Sequence, residues 1–108
     1  MDEIDGRLVG SLMVLVAVAD ARSFGRAAER LGMTQSGVSR AIAKLEARLG
    51  ARLLDRTSRA VMLTDEGRGL YKRVVQQLAG IGEAAAEISR SQNSGGNIQI
   101  AEFGPGST

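Results

Sequence analysis

Cysteine and histidine are both absent from this chain. Without thiols there is no disulfide and no thiolate metal site. Without imidazole the usual zinc sites and any triad built on a histidine base are excluded too. No long apolar run is present either. The most apolar stretch, Leu12 to Ala19, is far shorter than the ~20 residues that span a bilayer. The N-terminus, Met1-Asp2-Glu3-Ile4-Asp5, is acidic where a secretory signal is basic. No membrane partner is expected, and the cytoplasm is the expected compartment.

What is present is enough for a folded core. The 108 residues are 44% hydrophobic, which suits one small domain, or a small domain with an appendage, and argues against wholesale disorder. The formal charge of +2 conceals a segregation. Between Arg22 and Arg59 nine basic residues stand against three acidic ones, while the rest of the chain is net acidic. A basic centre between acidic ends suits a polyanionic partner. An ordinary solvated surface explains it equally well.

Spacing and capping residues predict four helices and a hairpin. The first helix runs from about Asp5 to Ala21. Leu8, Leu12, Leu15, Val16 and Ala19 form a stripe at spacings of three and four. Val9, Met13, Ala17 and Val18 leave its other faces unusually apolar, as expected of a central core helix or of one that also meets another subunit. The second helix follows the N-cap candidate Ser23 and stops at Gly32. The third follows Thr34 and runs to Leu49, with Gly50 ending it. Leu53 to Leu63 reads as two short strands around Thr57-Ser58-Arg59, with Leu53, Leu54, Val61 and Leu63 as apolar faces. The fourth helix starts after Thr64 and continues to about Ser91, roughly 27 residues or ~40 Å. Tyr71, Val74, Leu78, Ile81, Ala85 and Ile88 repeat along it as a heptad stripe, the pattern of a helix paired with another. Four glycines (67, 69, 80 and 82) each cost about 1 kcal/mol of helix propensity, which also calls for a packing partner. Gln92 to Asn97 reads as a linker. Asn97 to Phe103 alternates like a single strand, the expected start of a second domain.

The segment from Phe24 to Ile42 carries the functional signal. Ala28, Gly32 and Val38 hold the positions at which a helix-turn-helix needs a small residue, a turn glycine and an apolar anchor. Leu31 and Met33 flank the turn where core contacts are expected. On the third helix, Val38, Ile42, Leu45 and Leu49 share one face. The opposite face holds Ser36, Arg40, Ala43, Lys44 and Ala47, with Gln35 and Ser39 at its edges. That face is small, polar and basic, and it could enter a major groove about 12 Å wide. There Gln can pair with adenine, Arg with guanine and Ser with several base edges. The bland reading is a solvated helix face, though such faces more often carry Glu–Lys pairs. Arg56 and Arg59 flank the hairpin tip. They suit phosphates or a narrow minor groove, or simply protect an edge strand.

At these positions the sequence resembles the LysR-type family of bacterial transcription regulators. The likeness is carried by Ser23-Phe24, Ala27-Ala28-Glu29-Arg30-Leu31 and Thr34-Gln35-Ser36-Gly37-Val38-Ser39-Arg40. It continues through Ile42, Lys44-Leu45-Glu46, Leu49-Gly50, Leu53-Leu54-Asp55-Arg56, Arg59 and Leu63-Thr64 to Gly67, and covers nearly all of residues 5–91. The resemblance implies a mainly α fold: a winged helix-turn-helix over residues 1–63 and a linker helix over 64–91 that dimerises antiparallel. Residues 92–108 would then be a hinge and the truncated start of an effector-binding domain. It also implies that Gln35, Ser36, Ser39 and Arg40 occupy base-contacting positions and that Arg56 is the wing arginine. The chain departs from the family pattern at Ser36-Gly37, where Pro-Ala is usual, and at Leu54, where Phe is usual.

The expected function is sequence-specific binding of double-stranded DNA at a partly palindromic operator, by a nucleoid-associated homodimer. The recognition helix 34–49 would lie in the major groove and the wing 55–60 on the backbone or minor groove. The DNA-facing set is Thr34, Gln35, Ser36, Ser39, Arg40, Lys44, Arg56 and Arg59. The dimerisation set is the stripe Tyr71, Val74, Leu78, Ile81, Ala85 and Ile88. No cofactor and no metal are expected. A small-molecule inducer would act only through the effector domain, and the resemblance admits a tetramer for the full-length protein. The alternative is a helical interaction and dimerisation adaptor without DNA affinity. An enzyme is not expected: Gly67-Arg68-Gly69 lacks the rest of a dinucleotide fingerprint, and Asp65 and Glu66 are explained by a helix N-terminus.

Overall fold

Each helix begins just after a short polar side chain. The structure is a computed structural model that describes residues 5–56 and 60–94. The order of elements is α1 (Gly6–Ala21), α2 (Phe24–Leu31), α3 (Gln35–Leu49), β1 (Leu54–Asp55), β2 (Met62–Leu63) and α4 (Asp65–Ser94). The Asp5 carboxylate accepts from the Leu8 amide at 2.8 Å, Ser23 Oγ from Arg26 at 3.1 Å, Thr34 Oγ1 from Gly37 at 3.0 Å and Thr64 Oγ1 from Gly67 at 3.0 Å. Each bond satisfies one of the amides that a helix start leaves without a partner. The Leu8 amide, helped by the Arg48 guanidinium, holds the Asp5 carboxyl below its usual range. A carboxylate lowered in this way supports the fold at neutral pH and loses that contribution as the pH falls through its depressed pKa.

The helix ends turn through left-handed backbone. Gly32 (φ 66°) and Gly50 (φ 69°) suit this, but Arg22 (φ 55°) does the same after α1, its amide reaching the Val18 carbonyl at 2.7 Å. A side chain in that region costs on the order of 1 kcal/mol. Arg22→Gly should therefore raise stability by about 0.5–1 kcal/mol. The urea midpoint measures it, and an unchanged or lower midpoint would show that the arginine is not strained there.

The chain forms two units, Met1–Val75 and Gln76–Thr108. In the first, α1 packs against both α2 and α3, and α2 against α3. Their shared core is Val14, Leu15 and Val18 of α1, Ala27 and Ala28 of α2, and Val38, Ile42 and Leu45 of α3, closed by Leu53 and Leu54. The β1 and β2 strands pair antiparallel, Leu54 with Leu63 and Asp55 with Met62. The second unit contains the rest of α4, which continues three residues past the expected Ser91.

Three expectations about burial are corrected. The buried face of α1 is turned toward Val14 and Val18, while Val16 and Ala19 are only half-buried. A helix that is apolar nearly all round does not declare its face, and the two helices packed on it decide. Leu49 continues the α3 stripe but is 44% exposed, because the helix end at Gly50 has passed the edge of the core. Met33 is 38% exposed; at the α2–α3 turn, Leu31 packs on the core and Met33 looks outward.

Candidate nucleic-acid interface

The third helix is amphipathic in a way that fixes which side faces out. Val38, Ile42 and Leu45 are at most 1% exposed, and this burial clamps α3 to the core. On the far side Ser36, Arg40, Ala43, Lys44 and Ala47 are all exposed. Gln35 is exposed at the first turn, and Ser39 is half-buried at the margin. Thr34 is exposed, but its hydroxyl is engaged twice, by the Gly37 amide and by Ser36 Oγ at 3.3 Å. It acts first as the cap that starts the helix, and it also sets where the Ser36 hydroxyl lies.

The hairpin is held to α3 by a device the sequence did not announce. Glu46, with a side chain only 12% exposed, accepts from the Leu53 amide at 2.8 Å and the Leu54 amide at 3.2 Å. The Arg52 guanidinium approaches it at 3.7 Å. An acid on a basic helix reads as surface charge; only the fold reveals that it ties down two backbone amides. From the other side, Thr64 donates its hydroxyl to the Arg52 carbonyl at 2.6 Å and its amide to the Leu53 carbonyl at 3.0 Å. The start of the hairpin is thus fixed from both α3 and the entry to α4.

Arg56 leaves β1 and lies over the Phe24 ring, its guanidinium carbon 4.7 Å from the ring centroid. Such a cation–π contact is worth about 0.5–1 kcal/mol at an exposed site, and it parks the wing arginine at the N-terminal end of α2. A β-carbon built on Gly25 would stand 3.5 Å from Gln35 Oε1, so Gln35 reaches the same helix start. The fold therefore gathers Gln35 and Arg56 around one end of α2, while Arg40 and Lys44 follow one another along α3. Arg59 lies outside the described residues.

On α4, Tyr71 and Val74 are half-buried in the first unit, and the Tyr71 hydroxyl donates to the Asp20 carboxylate of α1. That bond, together with burial and the carboxylate charge, raises the phenol above its usual pKa. In the second unit Leu78 is half-buried, Ala85 is exposed, and Ile81 and Ile88 are each 65% exposed. Among the described residues no helix is long and apolar enough to cross a membrane, and no cluster of acidic side chains could hold a metal ion.

Three helices with a tight second turn, followed by a two-stranded hairpin, make the first unit a winged helix-turn-helix. The model of the bacterial regulatory helix-turn-helix proteins of the lysR family matches residues 9–68, and the chain belongs to that family. Its relatives include the HTH-type transcriptional regulator PgrR of Escherichia coli, 44% identical over 93 residues that cover 85% of this chain and 31% of that protein. Another, YfeR of Shigella flexneri, is also described as an HTH-type transcriptional regulator; it is 42% identical over 91 residues, covering 83% of this chain and 30% of the relative. The chain thus spans about three tenths of the length of these curated relatives. Among solved structures, that of the BenM DBD in complex with benA site 1 DNA superposes with a TM-score of 0.73 at 34% identity. The match covers 80% of this chain and 97% of that one.

Proposed function

We propose that this chain is the part of a LysR-family transcription regulator that binds double-stranded DNA in a sequence-specific manner. The observation that carries the reading is the two-sidedness of α3: an apolar side locked into the core and an outward side of small, polar and basic residues. The likeness to the BenM DBD, solved on DNA, supports it. In this reading α3 lies in the major groove with Gln35, Ser36, Ser39 and Arg40 on base edges. Thr34, Lys44, Arg56 and Arg59 hold phosphates or, at the wing, the minor groove. Two copies paired through Tyr71, Val74, Leu78, Ile81, Ala85 and Ile88 read two half-sites of a partly palindromic operator. The site of action is the nucleoid, and a small-molecule inducer acts through an effector domain rather than through these elements. Relatives named as transcriptional regulators, not enzymes, agree with this.

Selection of bound sequences from a random duplex library tests specificity and half-site spacing together. No enrichment over the starting pool would reject the reading in favour of an adaptor without DNA affinity. Arg40→Ala should lower specific affinity by about 1–3 kcal/mol and relax preference at one base pair. Lys44→Ala should weaken every sequence alike and flatten the dependence of log K on log salt by about one unit. Equal losses on all sequences for Arg40→Ala would remove it from base reading.

A further inference from the structure

Beside the outward face of α3, toward α1, the first unit has a groove of about 520 Å³. Its floor is apolar, with Leu8 and Val14 from α1, Leu45 from α3 and the exposed Met33 at the turn. Its rim is cationic, with Arg7 on one side and Arg40, Lys44 and Arg48 on the other. Arg48 is shared with Asp5 at 3.3 Å. None of the ion pairs among the described residues engages Arg7, Arg40 or Lys44. Base reading accounts for Arg40 and phosphate holding for Lys44, but neither accounts for Arg7 or for an apolar floor. A duplex presents mostly charged and polar edges, with thymine methyls as small separate apolar spots, a poor match to a continuous apolar floor.

We propose that this groove docks an acidic amphipathic helix from a protein partner, and that the partner and the duplex exclude one another. The groove runs along α3 from Gly37 to Arg48, roughly 17 Å at 1.5 Å per residue. That length matches a helix of about three turns. Apolar side chains at spacings of three and four would enter over Leu8, Leu45 and Met33, the usual mode of a helix in a groove. Acidic side chains on its flanks would meet Arg7, Arg40 and Lys44. Exclusion rests on the DNA-binding reading, because Arg40 and Lys44 serve both partners.

The test uses the whole chain and a fluorescein-labelled 16-residue peptide of Leu, Glu and Ala with its leucines on one helical face. A scrambled peptide of the same composition is the control. Fluorescence anisotropy should show the amphipathic peptide binding at least tenfold more tightly than the scrambled one. Arg7→Glu and Met33→Glu, each checked for native helix content by circular dichroism, should weaken the peptide at least tenfold. Arg7→Glu should change affinity for a selected duplex by less than threefold, and Ser39→Ala should weaken the duplex while leaving the peptide unchanged. Saturating duplex should release the peptide. No peptide binding, equal binding of the scrambled peptide, or folded Arg7→Glu and Met33→Glu proteins that bind it normally would overturn the docking site. Unchanged peptide affinity in saturating duplex would overturn the exclusion. Peptide binding by a protein that shows no duplex affinity at any sequence would instead reject the DNA-binding reading and, with it, the exclusion.

Discussion

Gly67→Ala is expected to destabilise the protein by about 3 kcal/mol, although alanine is the better helix former. Gly67 is buried in the first turn of α4, and a β-carbon there would stand 2.1 Å from the Leu53 carbonyl oxygen and 3.1 Å from Leu63 Cδ2. The carbonyl can move aside only by giving up a bond. It accepts the Thr64 amide at 3.0 Å, and the Leu53 amide is held by Glu46 at 2.8 Å. Overpacking against backbone belongs at the upper end of the 1–3 kcal/mol range. Losing the Thr64–Leu53 bond adds about 1 kcal/mol, and the helix-propensity gain returns about 1 kcal/mol. For a domain of this size about 3 kcal/mol corresponds to roughly 12–24 °C in Tm. Gly69→Ala is the internal control. It is two residues further along the same helix with nothing within 4 Å of its β-carbon position, so it should raise stability by up to about 1 kcal/mol. Thermal melts of the two variants check both statements. A Gly67→Ala protein that melts with or above the parent would show that the hairpin does not press on α4 as described.

The contrast between these two glycines marks what could be read from the sequence. As letters they are equivalent, two helix-weakening residues in one turn. Only the passage of the Leu53 carbonyl, just before β1, over the first of them separates their roles, and that passage is a tertiary event. Local chemistry was legible throughout. Ser23 and Thr34 were identified as caps from residue type and position, and Gly32 and Gly50 as stops. All of these are settled within four or five residues of chain. The outward face of α3 was legible for the same reason, since a mixed helix has one apolar side to bury. Faces failed where the pattern was degenerate. The α1 helix offers apolar residues in every direction, so its rotation waits on α2 and α3.

Long-range polar contacts were the least legible part of the site. Glu46 belonged to the family pattern without a role, and its two bonds to Leu53 and Leu54 lie seven and eight residues away across the α3–β1 turn. The stacking of Arg56 on Phe24 joins residues more than thirty positions apart, and no periodicity encodes it. The same holds for Tyr71. It sits in the α4 stripe by spacing, yet its hydroxyl is bonded to Asp20 of α1. At least at its polar end, then, that stripe position serves the first unit's own fold. In the proposed dimer, pairing of α4 with a second copy would rest mainly on the positions further along.

Those positions give the second large effect. Ile81→Asp should convert a dimer to monomers and lower affinity for a two-half-site duplex by about 10²–10⁴-fold. Ile81 and Ile88 are each 65% exposed, and an isolated long helix with four glycines is poorly stabilised by propensity alone. Both facts are relieved if the heptad stripe packs on its counterpart in another copy. In an isologous pair every substitution enters twice, so two carboxylates would be moved from water into an apolar seam without partners, at a cost of several kcal/mol. The loss on DNA follows from linkage: a dimer holding one half-site presents its second reading head at a high effective concentration, and a monomer does not. Gln76→Asp adds the same charge on the opposite side of α4 and should leave both assembly and affinity unchanged. Sedimentation velocity and duplex titration read the two effects separately. If Ile81→Asp remains a dimer, the stripe is not the interface. If it becomes monomeric yet binds the two-half-site duplex as before, the two reading heads are not coupled through α4.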